Sequence, residues 1–222
     1  MKIASAFLKE LPLVDHAVLY GSSYLKKPLI GVDSSAQVDL ILAVKDPLDW
    51  HKQNLKTNPK HYSSVCQSEG PEFIVDSVSK AAGIHYNPFV YFEGKRFKYG
   101  VISVQDLCED LRNWKTLYMA GRFQKPKLAL VEDKRVTIAQ QKNLRMALAV
   151  GMLTLPEVTT EEDLFFRISS ISYVGDNRIE DPSKVRNIVK GNIDKFLDMY
   201  LPMIKDFGGF DIDNGAVEVI CK

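Results

Sequence analysis

The chain has 222 residues, of which 45% are hydrophobic and 26% charged, and its formal net charge is +1. That length suits one large domain or two small ones, and either can bury a real core. The composition is that of an ordinary globular protein rather than a disordered or nucleic-acid-coating one, and the net charge names no partner; no nucleic acid is expected.

The first predicted element is HAVLY, His16 to Tyr20, an apolar and partly β-branched run that reads as a strand closed by Gly21, Ser22 and Ser23. VDLILAV, Val38 to Val44, is a nearly continuous apolar run, as expected for a strand buried on both faces of a sheet. A helix is predicted from Pro47 through Asn58, and Pro71 opens another that ends near Gly83, because proline suits a first turn and glycine a stop. IHYNPFVYF and RFKYGVIS flank Glu93-Gly94-Lys95, which reads as a hairpin. Ser103 is the expected cap of a helix over Val104 to Ala120, where Leu107, Leu111, Trp114 and Tyr118 recur at helical spacing.

KLALVE then supplies a brief strand, after which Thr137 to Leu153, Thr160 to Ser172 and Pro182 to Ile204 all carry the helical period. The charged segment EDKR places a soft boundary near Arg135, dividing the chain into 1–135, of mixed α/β character, and 136–222, mainly helical. No stretch approaches the roughly 20 apolar residues that cross a bilayer. The opening MKIASAFLKE carries a glutamate and no arginine, unlike a secretory signal or a transit peptide, so a mitochondrial protein with this start would lack its presequence. Cys66, Cys108 and Cys221 are widely spaced with no CxxC pair, and are expected to be small buried side chains in a reducing compartment.

The parts with chemical meaning are Gly21, Ser22, Ser23 and Asp39. A strand ending in Gly-Ser, a helix start, and a second strand bearing an aspartate resemble the active site of many nucleotidyltransferases. Backbone N–H groups and the serine hydroxyl there hold triphosphate oxygens, while the aspartate binds Mg²⁺, a hard cation that prefers oxygen ligands. The superfamily usually has a second acid two residues after the first, and this chain has Ile41 in that place. By itself the pair is a weak signal, because Gly-Ser after a strand is common and an aspartate can simply open a strand.

Longer segments are more specific. "YGSS" at Tyr20 to Ser23, "VDLILAVKDPLDWHKQNLKTNPKHYS" from Val38, "KYGVIS" from Lys98 and "LYMAGRFQKP" from Leu117 resemble the mitochondrial CDP-diacylglycerol synthases, the mitochondrial translocator assembly and maintenance family. "LPEVTTEEDLFFRISSISYVGDNR" from Leu155 and "KVRNIVKGN" from Lys184 extend the resemblance over most of the chain. It implies a nucleotidyltransferase-type mixed sheet with flanking helices over 1–135, and a helical, winged-helix-like domain over 136–222. It also implies transfer of a cytidylyl group from CTP to phosphatidic acid, giving CDP-diacylglycerol for phosphatidylglycerol and cardiolipin synthesis. The implied setting is the matrix side of the mitochondrial inner membrane, in peripheral contact with an anionic bilayer.

In this reading Asp39 is the metal ligand, Gly21, Ser22 and Ser23 cradle phosphates, and Lys98, with Ser22, assists catalysis. Arg122 and Lys125 form a basic pair suited to phosphates. Tyr173, Asp176 and Arg178, with Gly175, are the polar signature of the second domain, and the site is expected between the two domains. The family usually has Gly-Ser-Gly where this chain has Ser23, and an acidic pair before proline where it has Lys45-Asp46. The second acid is therefore open among Asp46, Asp49, Glu93 and Asp176.

His51 and His61 read as structural or binding residues, because phosphatidate already offers an ionised oxygen and needs little general base. The apolar stripe of residues 184–207 is expected to pack in a core rather than lie on a membrane. The resemblance assigns membrane contact to a C-terminal region that AVEVICK is expected to stop short of. The alternatives are an RNA- or protein-modifying nucleotidyltransferase, and a non-catalytic winged-helix assembly factor with a decayed nucleotide site.

Overall fold

A computed structural model of the chain describes residues 2–25, 37–156, 158–173, 183–206, 210–213 and 216–219. Helix α1 (Lys2–Leu8) leads to strand β1 (His16–Tyr20), the short helix α2 (Ser22–Leu25) and strand β2 (Val38–Val44). Helices α3 (Pro47–Thr57) and α4 (Ser64–Ser79) precede the hairpin of β3 (Ile84–Phe92) and β4 (Lys95–Ser103). Then follow α5 (Val104–Asn113), α6 (Tyr118–Phe123), β5 (Leu128–Val131) and α7 (Lys134–Leu153). The chain continues with β6 (Val158–Thr160), α8 (Glu161–Ser170), α9 (Ser183–Lys190), α10 (Ile193–Asp206), β7 (Phe210–Asp213) and β8 (Ala216–Val219).

Two compact units result. Met1–Asp110 with Lys127–Ala139 forms the first, and Leu111–Pro126 with Gln140–Lys222 the second. The first is an α/β unit around a mixed five-stranded sheet of order β3-β4-β2-β1-β5, in which β2 and β4 run parallel and the other pairs antiparallel. Leu40, Leu42 and Val44 enter one core with Phe97, Tyr99, Val101, Phe7 and Trp50, while Ile41 and Ala43 are equally buried on the opposite face. Burial on both faces is why β2 reads as an unbroken apolar run.

The second unit packs α8 and α10 through Phe165, Phe196 and Tyr200, the first two rings stacked with centroids 5.0 Å apart. Gly151 lets α7 approach α8, since a Cβ there would lie 2.9 Å from Ile168 and 3.1 Å from Leu164. Strands β6, β8 and β7 make a small antiparallel sheet. The order here is helix, strand, helices and two returning strands.

Several predicted boundaries move. The helix expected over Val104 to Ala120 stops at Asn113, because Trp114 (φ 52°) and Leu117 (φ 58°) adopt left-handed backbone before α6 begins. The indole N–H of Trp114 donates to Asn143 Oδ1 at 2.8 Å, and that part-buried bond holds the reversal. The helix expected from Pro71 is present, and a further helical stretch from Ser64, capped by Ser63, precedes it across a non-helical kink at Gly70 (φ 85°). The C-terminal stripe is two helices, broken between Lys190 and Ile193, and its Val185, Val189, Phe196, Tyr200 and Ile204 are buried. Cys66 and Cys108 are buried, as expected of small apolar side chains; Cys221 lies outside the described residues.

Candidate functional site

The first unit brings Gly21, Asp39 and Lys98 together. Strand β1 ends at Tyr20, which pairs with Asp39, and Gly21 turns the chain with φ 74° into α2, its carbonyl accepting from the N–H of Tyr24 and of Leu25. A Cβ on Gly21 would stand 3.1 Å from Asp39 Oδ2, so the carboxylate lies directly against the turn. Only glycine satisfies both the positive φ and that approach. Ser22 and Ser23 open α2 as backbone.

On the other side of β2, Lys98 of β4 is the register partner of Asp39. Its ammonium lies over the Tyr86 ring, 4.7 Å from the centroid, and Tyr86 in turn covers Gly100, where a Cβ would stand 2.6 Å from the ring. Gln37 Nε2 donates to Asp39 Oδ1 at 2.7 Å, leaving Oδ2 as the oxygen that faces Gly21. Burial raises the Asp39 pKa above its ordinary value, and the Gln37 hydrogen bond and the charges of Lys98 and Arg96 oppose the rise. Gln37 and Tyr86 escape sequence reasoning: Gln37 precedes β2 and meets Asp39 through a side-chain hydrogen bond, and Tyr86 enters by pairing with Gly100.

Among the described residues, no group of three or more His, Cys, Asp or Glu side chains forms a ready-made metal cluster. Mg²⁺ does not require one, since it is commonly held by one or two carboxylates plus substrate phosphates and water. A half-buried aspartate oxygen facing a glycine turn fits that mode. Asp46 and Asp49 are committed elsewhere. Asp46 caps α3, accepting from the Leu48 and Asp49 N–H groups at 2.9 and 3.3 Å, and Asp49 accepts from Gln53 at 2.6 Å. Both lie past the far end of β2, and the strand alone separates them from Asp39 by about 16 Å at 3.3 Å per residue. Glu93 sits in the β3–β4 turn with φ 47°.

The second unit brings Arg122, Lys125 and Tyr173 together. Arg122 Nη1 donates to the Tyr118 carbonyl at 2.7 Å, and the guanidinium stacks 3.7 Å from the centre of the Tyr118 ring. Lys125 Nζ donates to Ser172 Oγ at 2.9 Å and to the Gly121 carbonyl at 3.1 Å, beneath the ring of Tyr173 at 4.6 Å. Burial, helped by the Arg122 charge, lowers the Lys125 pKa to about 7. Gly121 is required here, since its Cβ would fall 2.1 Å from that of Ser172. Asp176, Arg178 and Gly175 lie outside the described residues.

The histidines are structural. His51 Nδ1 pairs with the Tyr62 hydroxyl at 2.8 Å and His61 Nδ1 with the Tyr99 hydroxyl at 2.9 Å, while Asn54 Nδ2 donates to both hydroxyls. This network joins α3 to the core face that holds Tyr99, the face opposite Asp39.

Among the described residues, no helix is long and apolar enough to cross a membrane. Residues 4–218 match the family described as phosphatidate cytidylyltransferase, mitochondrial. Curated proteins of that name resemble the chain closely. The one from Schizosaccharomyces pombe is 43% identical over 196 residues, covering 86% of this chain and 50% of its own length. The human one is 41% identical over 212 residues, covering 92% of this chain and 46% of its own. That from Dictyostelium discoideum is 39% identical over 195 residues, covering 84% of this chain and 45% of its own. The chain thus spans about half the length of these relatives. With a glycine turn, a facing carboxylate and a neighbouring lysine all within the matched span, the chain belongs to the mitochondrial phosphatidate cytidylyltransferase family.

Proposed function

We propose that the chain transfers the cytidylyl group of CTP to phosphatidic acid, releasing pyrophosphate and forming CDP-diacylglycerol for phosphatidylglycerol and cardiolipin synthesis. The observation that carries this reading is the Asp39 carboxylate set against the positive-φ turn at Gly21, with Lys98 as its register partner, in a chain of this family. The relatives are named mitochondrial. The proposed setting is the matrix side of the inner membrane, with peripheral contact to the bilayer.

An ionised phosphate oxygen of phosphatidic acid attacks the α-phosphorus of CTP. The new O–P bond forms as the bond to the oxygen shared with the β-phosphate breaks, and pyrophosphate leaves with that electron pair. No covalent enzyme intermediate and no general base are needed, because the nucleophile is already an anion. The Gly21 turn gives triphosphate oxygens close access to the backbone, with Ser22 and Ser23 at the start of α2 as further donors. Lys98, braced over Tyr86, neutralises phosphate charge as a point cation. Asp39 Oδ2 is the oxygen that would hold Mg²⁺, which when bound offsets charge building on the phosphates. Arg122 and Lys125 are a second phosphate-binding pair, held in place by Tyr118 and Ser172.

The test is incubation of purified protein with α-labelled CTP, magnesium, and either phosphatidate vesicles or RNA. The expected result is a lipid-extractable labelled product with stoichiometric pyrophosphate. Label appearing in RNA or in protein, or no pyrophosphate with any acceptor, overturns the reading.

A further inference from the structure

We propose that the outer face of the β3–β4 hairpin, carrying Phe89, Tyr91, Arg96 and Lys98, docks on an anionic phospholipid bilayer and so presents lipid phosphate to Asp39. This rests on the proposed function and names the surface by which the site meets a substrate that lives in a membrane.

The strand pattern separates two faces. Val90 and Phe92 point into the core with Phe7 and Phe97. Phe89 and Tyr91 point the other way and are 70% and 72% exposed on the edge strand of the sheet. Exposed aromatic rings on a strand edge are costly unless something covers them.

Register decides what lies beside them. A bulge between Asn87 and Val90 sets Pro88 and Phe89 against Lys98, while Tyr91 pairs directly with Arg96. Lys98 is the partner of Asp39, and Asp39 of Tyr20. Phe89, Lys98 and Asp39 therefore form one row on one face, with β3 about 10 Å from the Asp39 strand at the usual spacing between strands. Over residues 88–98 the cations Lys95, Arg96 and Lys98 outnumber the single acid, Glu93.

Aromatic rings flanked by basic side chains suit the headgroup layer, where rings settle at the boundary and cations meet anionic lipid. Contiguity with Asp39 is what singles out a bilayer, because a lipid phosphate held by Lys98, with Arg96 beside it on the same strand, is already in the row of the proposed metal-holding carboxylate.

The experiment is co-sedimentation of the chain with phosphatidylcholine vesicles, with and without phosphatidate, for the wild type, Phe89→Ser/Tyr91→Ser and Arg96→Gln. Binding to phosphatidate-bearing vesicles is expected to fall about tenfold or more in the aromatic double variant. It is expected to fall about fivefold in Arg96→Gln. CTP affinity by calorimetry, and turnover with short-chain phosphatidate dissolved as monomer, are expected to stay unchanged in the aromatic variant. Tyr91→Trp, which keeps an interfacial ring, should retain binding and gain a blue-shifted emission component on vesicle addition. Unchanged vesicle binding in the double variant, or no wild-type binding at all, overturns the proposal. A loss of CTP affinity would mark the rings as a nucleobase platform, and a loss of self-association with vesicle binding intact would mark a dimer edge; either overturns it. Sedimentation needs neither CTP nor turnover, so the failure of docking and the failure of the proposed activity are read separately.

Discussion

Gly21 and Asp39 act on one another through space. The carboxylate is half-buried and raised in pKa, chiefly by burial, so its negative charge is held at a cost to folding that only a cation or a charged ligand repays. Asp39→Asn is therefore expected to lower cytidylyl transfer by a hundredfold or more, on the order seen when one preorganised electrostatic group is lost. Its melting temperature should be unchanged or higher. Gly21→Ala separates the two effects in the opposite way. The turn forces the alanine into left-handed backbone that its Cβ disfavours, and that Cβ meets Oδ2 at 3.1 Å, so a stability loss of about 1–2 kcal/mol should accompany the loss of activity. Melting curves and initial rates on both variants check the contrast. An Asp39→Asn protein that keeps wild-type turnover would remove the carboxylate from the mechanism.

The second unit depends on the contact between α6 and the turn Ile171–Tyr173 that follows α8. Gly121 carries that contact: an alanine Cβ would fall 2.1 Å from Ser172 Cβ and 3.3 Å from its Cα, so backbone must move. Gly121→Ala is expected to destabilise the fold by about 1–3 kcal/mol, the usual range for overpacking a filled site. Adding Ser172→Gly removes the two nearest atoms and should restore much of the loss, a coupling that a double-mutant cycle of urea midpoints measures. Additive losses would mean that Ser172 is not what the new methyl meets. The same contact positions Lys125 of the proposed phosphate-binding pair, because Ser172 Oγ is its hydrogen-bond partner.

Across the whole molecule, all four histidines lie in the first unit and all are held below the ordinary value by burial. His16 falls to about 4 and His51 to about 3. Above the ordinary value of 6.5 neither folded nor unfolded chain binds these protons, and stability is fully present. Below it the unfolded chain is protonated first, so stability drains away as pH falls toward those lowered values. Urea midpoints near pH 7 should therefore exceed those at about pH 5, and His51→Gln should flatten the dependence. A pH-independent midpoint over that range would contradict the buried neutral imidazoles.

The sequence by itself determined the strands at His16–Tyr20 and Val38–Val44 and the hairpin around Glu93-Gly94. These signals are local: apolar runs, glycine and proline positions, and residues a few places apart. Helix ends were less legible. Trp114 and Leu117 continue a helical apolar period, and it is the distant Asn143 that holds the reversed backbone at Trp114. Only the tertiary structure decided that Lys98 stands beside Asp39 and Phe89 beside Lys98, because register between strands far apart in sequence is set by how both faces pack. It also decided that Leu111–Pro126, although it lies between two strands of the first unit's sheet, belongs with the helical unit. Buried bonds from Gln124 to Asn143 and from Tyr200 to the Gln124 carbonyl, with a part-buried one from Trp114 to Asn143, hold it there, and such partners leave no periodic mark in the chain.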